Sequence, residues 1–126
     1  MFNVGTEYTR AEIHGQVGGG VQPYLPTKGG KVVAACVTKE LNPRAPRVIL
    51  CGKGVRIEPT GSILAAQSDP VPVFVKRSVN RWEFQGWFRA VASHTSGPRF
   101  ESLVSGSGRA ASDVSRAVEL EAVPLA

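Results

Sequence analysis

Apolar positions along the chain come in short runs separated by Gly, Pro and Asn, the pattern of a domain built mainly from strands. Val32–Thr38 and Arg47–Gly52 are apolar and β-branched, and the turn signal Asn42-Pro43 predicts that a hairpin joins them. Val71–Arg77 and Arg81–Val91 predict a second hairpin around Ser78-Val79-Asn80. Along its second arm, strict alternation puts Trp82, Phe84, Phe88 and Ala90 on one face and Glu83, Gln85, Trp87 and Arg89 on the other. Phe84 and Phe88 are expected in the core. Aromatic residues on both faces call for a second cover, and for Trp82 and Trp87 a ligand or pocket can supply it. Arg99–Val104 and Ser115–Val123 complete the predicted strands, the last alternating through Val118, Leu120 and Ala122.

Two short helices interrupt this pattern. Thr9 and Glu12 have the spacing of a capping box, Tyr8 and Ile13 occupy the positions of a hydrophobic staple, and Gly18-Gly19-Gly20 is the stop. A second helix is predicted over Pro59–Gln67, with Pro59 near its first turn and Ile63 and Leu64 on its apolar side. Five to seven short strands with two helices predict an α+β, mainly β fold in which a strongly curved sheet closes into a small β-barrel. Closure would also remove exposed sheet edges. Gly and Pro are scattered rather than gathered into a linker, and no repeat is visible, so residues 1–126 read as one domain.

A chain of 126 residues can bury one sizeable core, and 42% hydrophobic with 20% charged residues is a globular composition. The longest apolar run, Val32 to Val37, is too short to cross a bilayer, and Met1 to Glu7 lacks the charged and apolar regions of a secretory signal. A cytoplasmic protein with no membrane partner is therefore expected. Cys36 and Cys51 flank Asn42-Pro43-Arg44-Ala45 symmetrically, so a hairpin there would bring them face to face. In a reducing cytosol two buried free thiols are the expected outcome.

Charge changes the picture more. The net charge is +5, and it is concentrated: residues 28–56 hold seven Lys or Arg against Glu40 alone, and residues 76–109 hold six against Glu83 and Glu101. Two basic regions on an otherwise mildly acidic chain suit a polyanion-binding face, although solvated charge alone gives the same count. Catalysis finds little support. His14 and His94 are the natural proton carriers; His14 falls inside the first helix and His94 in a Ser-Gly loop with no acidic neighbour in sequence. The acids are dispersed, and neither Gly-Gly-Gly nor Gly106-Ser107-Gly108 matches a phosphate-cradling loop. No enzyme activity, metal or cofactor is expected.

Binding chemistry gathers in two places. The loop Gly20-Val21-Gln22-Pro23-Tyr24-Leu25-Pro26 is stiffened by its prolines. There Gln22 can hydrogen-bond base edges, and Tyr24 or Leu25 can stack on or wedge between bases, or simply cover one end of the barrel. The hairpin Lys76-Arg77-Ser78-Val79-Asn80-Arg81-Trp82 mixes cations and amides with an aromatic, which suits phosphate contact plus base stacking.

Tyr8-Thr9-Arg10-Ala11-Glu12-Ile13-His14, Gly18 to Pro26, Val71-Pro72-Val73-Phe74-Val75-Lys76-Arg77 and Trp82 to Phe88 follow one another in an order that resembles the SRA-like (SET- and RING-associated) modules of bacterial modification-dependent restriction systems. Phe84-Gln85-Gly86-Trp87-Phe88-Arg89 is similar to their aromatic-x-Gly-x-aromatic-basic signature, with Phe84 and Gln85 where Tyr and Asp are usual. The resemblance implies a PUA-like barrel that binds duplex DNA and turns a modified cytosine, such as 5-methylcytosine, out of the stack into a pocket. It also implies a possible partner, a separate nuclease. On that view Gln22, Tyr24 and Leu25 fill the gap in the stack, and Lys76, Arg77, Ser78, Asn80 and Arg81 hold the backbone. Trp82 and Trp87 then sandwich the expelled ring. A PUA-like RNA-binding module and a small-molecule-binding barrel are the alternatives.

Overall fold

The structure, a computed structural model, describes residues 1–124. After a two-residue strand β1 (Glu7–Tyr8), helix α1 (Arg10–Val17) starts on the expected capping box. The Glu12 amide donates to Thr9 Oγ1 at 3.1 Å, and the Thr9 amide donates to Glu12 Oε1 at 2.8 Å. Tyr8 and Ile13 meet in one apolar cluster, as a staple requires. There follow β2 (Thr27–Lys28), β3 (Lys31–Val32), β4 (Ala35–Val37), β5 (Val48–Gly52), α2 (Glu58–Ala66), β6 (Val71–Ser78), β7 (Arg81–His94), α3 (Pro98–Val104), a 3₁₀ turn (Ala111–Asp113) and β8 (Val114–Ala122).

The mainly β, α+β composition stands, but the barrel does not. The main sheet runs β4-β6-β7-β8-β5, with β1 beside the first part of β7, while β2 and β3 form a separate ribbon. It is mixed: β4 pairs with β6 in parallel, and the other pairs are antiparallel. Its path ends at β4 and β5, which are not paired with each other among the described residues, and no sheet closes or curls strongly. A barrel needs one inward face, whereas this sheet buries both. Val71, Val73, Val75, Ile49, Val118 and Phe88 pack with Leu64 of α2 on one side. On the other, Phe74, Phe84 and Trp82 pack with Ile13 of α1, and Val48, Leu50 and Ala117 pack with Phe100, Leu103 and Val104 of α3. Helices, not closure, cover the sheet.

The third helix is a correction in itself, because Arg99–Val104 reads as a strand and is helical. Phe100, Leu103 and Val104 have i, i+3, i+4 spacing, and Pro98 stands at the first turn. The run Val32–Thr38 is likewise divided between β3 and β4. The expected hairpin through Asn42-Pro43 does not pair its arms. Instead the segment carries the chain from one edge of the sheet to the other, and buried Asn42 accepts from the Leu50 amide at 2.8 Å. Cys36 and Cys51 are both buried and free, and they belong to different apolar clusters.

The hairpin of β6 and β7 forms around Ser78-Val79-Asn80, with Asn80 in the left-handed region at φ 52°. Its alternation is broken. Val73 pairs with Gly86 and Phe74 with Phe84, so Gln85 is an extra residue, and Gly86 takes φ 123° beside it. The bulge reverses the faces beyond it. Trp82 and Phe84 therefore point to one side of the sheet and Phe88 to the other, instead of sharing a face.

Candidate nucleic-acid interface

The predicted site residues divide into those the fold exposes and those it uses. Lys76, Arg77, Ser78, Asn80 and Arg81 are exposed around the β6–β7 turn, and Val79 at its tip is 87% exposed. Arg77 is held on the strand by Glu83, with Nε donating to Oε1 at 2.9 Å. Trp82 is only 9% exposed, with the Arg10 guanidinium 5.3 Å and the Lys76 ammonium 5.7 Å from its ring centre. Two cations cover the ring that a base was expected to stack on. Trp87, re-aimed by the bulge, lines a different recess of about 380 Å³ with Lys28, Lys31, Val17 and Pro70. Both tryptophans pack on the apolar cluster around Phe84, Trp87 edge-on to that ring at 6.4 Å, so they serve the fold there and do not form a sandwich for a base.

In the loop before β2, Gln22 is exposed, Tyr24 is half-buried and Leu25 is 0% exposed. Leu25 is a core residue and cannot wedge between bases without leaving the fold. The Tyr24 hydroxyl donates to the Ile57 carbonyl at 3.4 Å, and burial holds its pKa well above the usual phenol value.

Loop and hairpin are brought together by a residue that sequence reasoning did not single out. Arg10, buried in the first turn of α1, donates from Nη2 to the carbonyls of Pro23 at 2.7 Å and Gly20 at 3.3 Å. Its Nε donates to His14 Nε2 at 2.8 Å, and its amide donates to Asn80 Oδ1 at 3.0 Å. A signal existed. A cation at a helix N-terminus opposes the helix dipole, and a local conflict of that kind marks a residue held there by something else.

A further recess lies between the two edge strands, β4 and β5. A cavity of about 220 Å³ is walled by Cys36 and Val37 of β4, Leu50 and Gly52 of β5, and Tyr24 and Ile57. Arg109 enters it, with Nη1 donating to the carbonyls of Leu50 at 3.0 Å and Leu41 at 3.2 Å. A Cβ at Gly52 would stand 3.4 Å from Arg109 Nη2, in van der Waals contact with the guanidinium. Leu41 and Val55, apolar and exposed, lie in the segments that flank the cavity. Thr38 lines this cavity and also a second groove of about 260 Å³, whose other walls include Lys39, Lys76, Arg77, Ser78 and Val79. An apolar cavity and a basic groove therefore meet at one residue.

Burial pushes the Cys36 thiol up to about 12, so the one sulfur on the cavity wall stays protonated. His94, at the end of β7, meets Glu119 at 2.8 Å, and Arg99 pairs with the same carboxylate. Among the described residues no three His, Cys, Asp or Glu side chains converge as metal ligands, and no helix is long and apolar enough to cross a membrane. Comparison with protein-family models, curated proteins and solved structures finds no match to this chain.

Proposed function

We propose that this chain is a non-enzymatic reader of duplex DNA that takes a modified cytosine, turned out of the stack, into the cavity between β4 and β5. One observation carries the reading: the cavity and the basic groove meet at Thr38. Phosphates held by Lys39, Lys76 and Arg77 place the backbone within reach of a recess with apolar walls, where a methylated ring finds contact for its methyl group. The roles differ from those expected of the residues alone. Tyr24 is a wall of the recess, and Leu25, Trp82 and Trp87 support the fold around it. Exposed Val79, at the hairpin tip among cations, takes over as the apolar side chain that fills the vacated stack. Cleavage of bound DNA is left to a separate nuclease, and a cytoplasmic location accords with this role.

Competition between methylated and unmethylated duplexes of one sequence tests the reading. One methyl group in an apolar recess gives about a 10- to 200-fold preference. Equal affinity for the two duplexes removes the modified base from the proposal, and stronger competition by single-stranded RNA replaces it with the RNA-binding alternative.

A further inference from the structure

Arg10 and His14 together form a device that the binding surface described so far does not use. Arg10 makes three side-chain contacts at once: to the Gly20–Pro23 turn, to His14 Nε2 and over the face of Trp82. Its amide ties the same helix turn to Asn80. Because Nε2 of His14 accepts from Arg10, the ring proton sits on Nδ1, which donates to the Gly18 carbonyl at 2.8 Å. This arrangement requires a neutral imidazole. A protonated ring has no lone pair for Arg10 and places a second positive charge 2.8 Å from the guanidinium nitrogen.

We infer that Arg10 is the positioning residue of the nucleic-acid surface, clamping the Gln22 loop to the β6–β7 hairpin, and that neutral His14 holds the clamp closed. The inference rests on the proposed DNA-binding role. The charged groups facing His14 favour the neutral ring. Arg10 lies on the same helix, and Lys28 of β2 packs against Gly18, where a Cβ would stand 2.6 Å from Lys28 Cδ. Glu12, the acid of α1, is turned back to the Thr9 amide, and Arg81 acts on it from the hairpin. Burial first, and the Arg10 charge after it, hold the His14 pKa below the ordinary histidine value, against the opposing pull of the Gly18 carbonyl. The clamp is therefore closed at neutral pH and opens as pH falls through this lowered value.

The direction of the effect separates this device from bulk electrostatics. Acidification makes the protein more positive, which alone tightens binding to a polyanion. Opening the clamp lowers the fraction of binding-competent protein and weakens binding instead. The experiment measures duplex affinity from about pH 7.5 to about pH 5 for the wild type, His14→Gln, His94→Gln and Arg10→Lys. Trp82 emission without DNA is followed in parallel, in a Trp87→Phe background. Wild type and His94→Gln lose affinity on acidification, in step with the fall in binding-competent protein. His14→Gln, whose amide oxygen still accepts from Arg10 but does not titrate, shows no loss. Arg10→Lys keeps the charge but lacks the planar fork, so it binds weakly at every pH. Trp82 emission changes with pH in the wild type and stays flat in His14→Gln. A rise in wild-type affinity on acidification overturns the positioning role. Flat wild-type Trp82 emission overturns the clamp itself, even if no duplex binds and the DNA reading fails on its own account.

Discussion

Gly61 of α2 and Cys51 of β5 touch so closely that no side chain fits between them: a Cβ at 61 would stand 2.8 Å from the Cys51 sulfur and 3.1 Å from its Cβ. The same added carbon would reach 3.9 Å from the Tyr24 hydroxyl. The close approach of helix and strand thus also sets a wall of the cavity. Gly61→Ala gains up to about 1 kcal/mol of helix propensity, but overpacking a site closed by backbone-anchored atoms costs about 1–3 kcal/mol. A net loss in denaturant-unfolding stability is expected, together with a smaller preference for modified DNA. A gain in stability would show that the helix yields freely.

Leu25 and Gln22, three residues apart in one loop, should behave oppositely. Leu25 is fully buried in the main core, so Leu25→Ala costs about 2–5 kcal/mol of stability. Gln22 is exposed, and Gln22→Ala leaves the unfolding midpoint within error. Urea titration of both variants decides it. Similar, small effects would return Leu25 to a surface role.

What could be read from residues alone was local. The α1 cap, the start of α2 and the β6–β7 turn follow from side chains within a few positions of one another. The pairing of β4 with β6 rather than β5 does not, because the apolar run at Val32–Thr38 pairs equally well with any buried strand. One extra residue at Gln85 escaped because an alternation pattern carries no mark of a bulge other than Gly86, and it moved Phe88 and Trp87 to new partners. Phe100, Leu103 and Val104 fit a short strand or a short helix by length, and the helix is favoured by their i, i+3, i+4 spacing and the Pro98 start. Of the candidate site, the basic hairpin was legible. The cavity was not, since it is built by two strands whose separation is a long-range property, and by Arg109, which looked like one basic residue among many.

Salt should weaken duplex binding steeply. With about five phosphates contacted, log K falls against log salt with a slope of roughly −4 to −5. Lys39→Ala and Lys76→Ala, both on the groove, should each reduce that slope by about 1 while leaving methyl preference intact. A slope near zero would remove the groove from the interface.

Acid stability should depend on Glu119. The guanidinium of Arg99 first, and His94 after it, hold its carboxyl below the ordinary carboxylate range. Its folded-state pKa is depressed, so its contribution is present above the unfolded carboxylate value and is lost as pH falls through the lowered one. Thermal unfolding of Glu119→Gln should fall less steeply on acidification than that of the wild type. Parallel curves would mean that the surface pairs contribute nothing.

The central claim is that the modified base leaves the stack for the cavity between β4 and β5. A fluorescent base analogue placed beside the methylated cytosine measures this directly, because its emission is quenched while its neighbour is stacked. Binding of the protein should brighten the methylated duplex and leave the unmethylated one dark. Emission that stays quenched while the preference for methylated DNA is full would show that the methyl group is read in an intact duplex, and that the cavity holds no base.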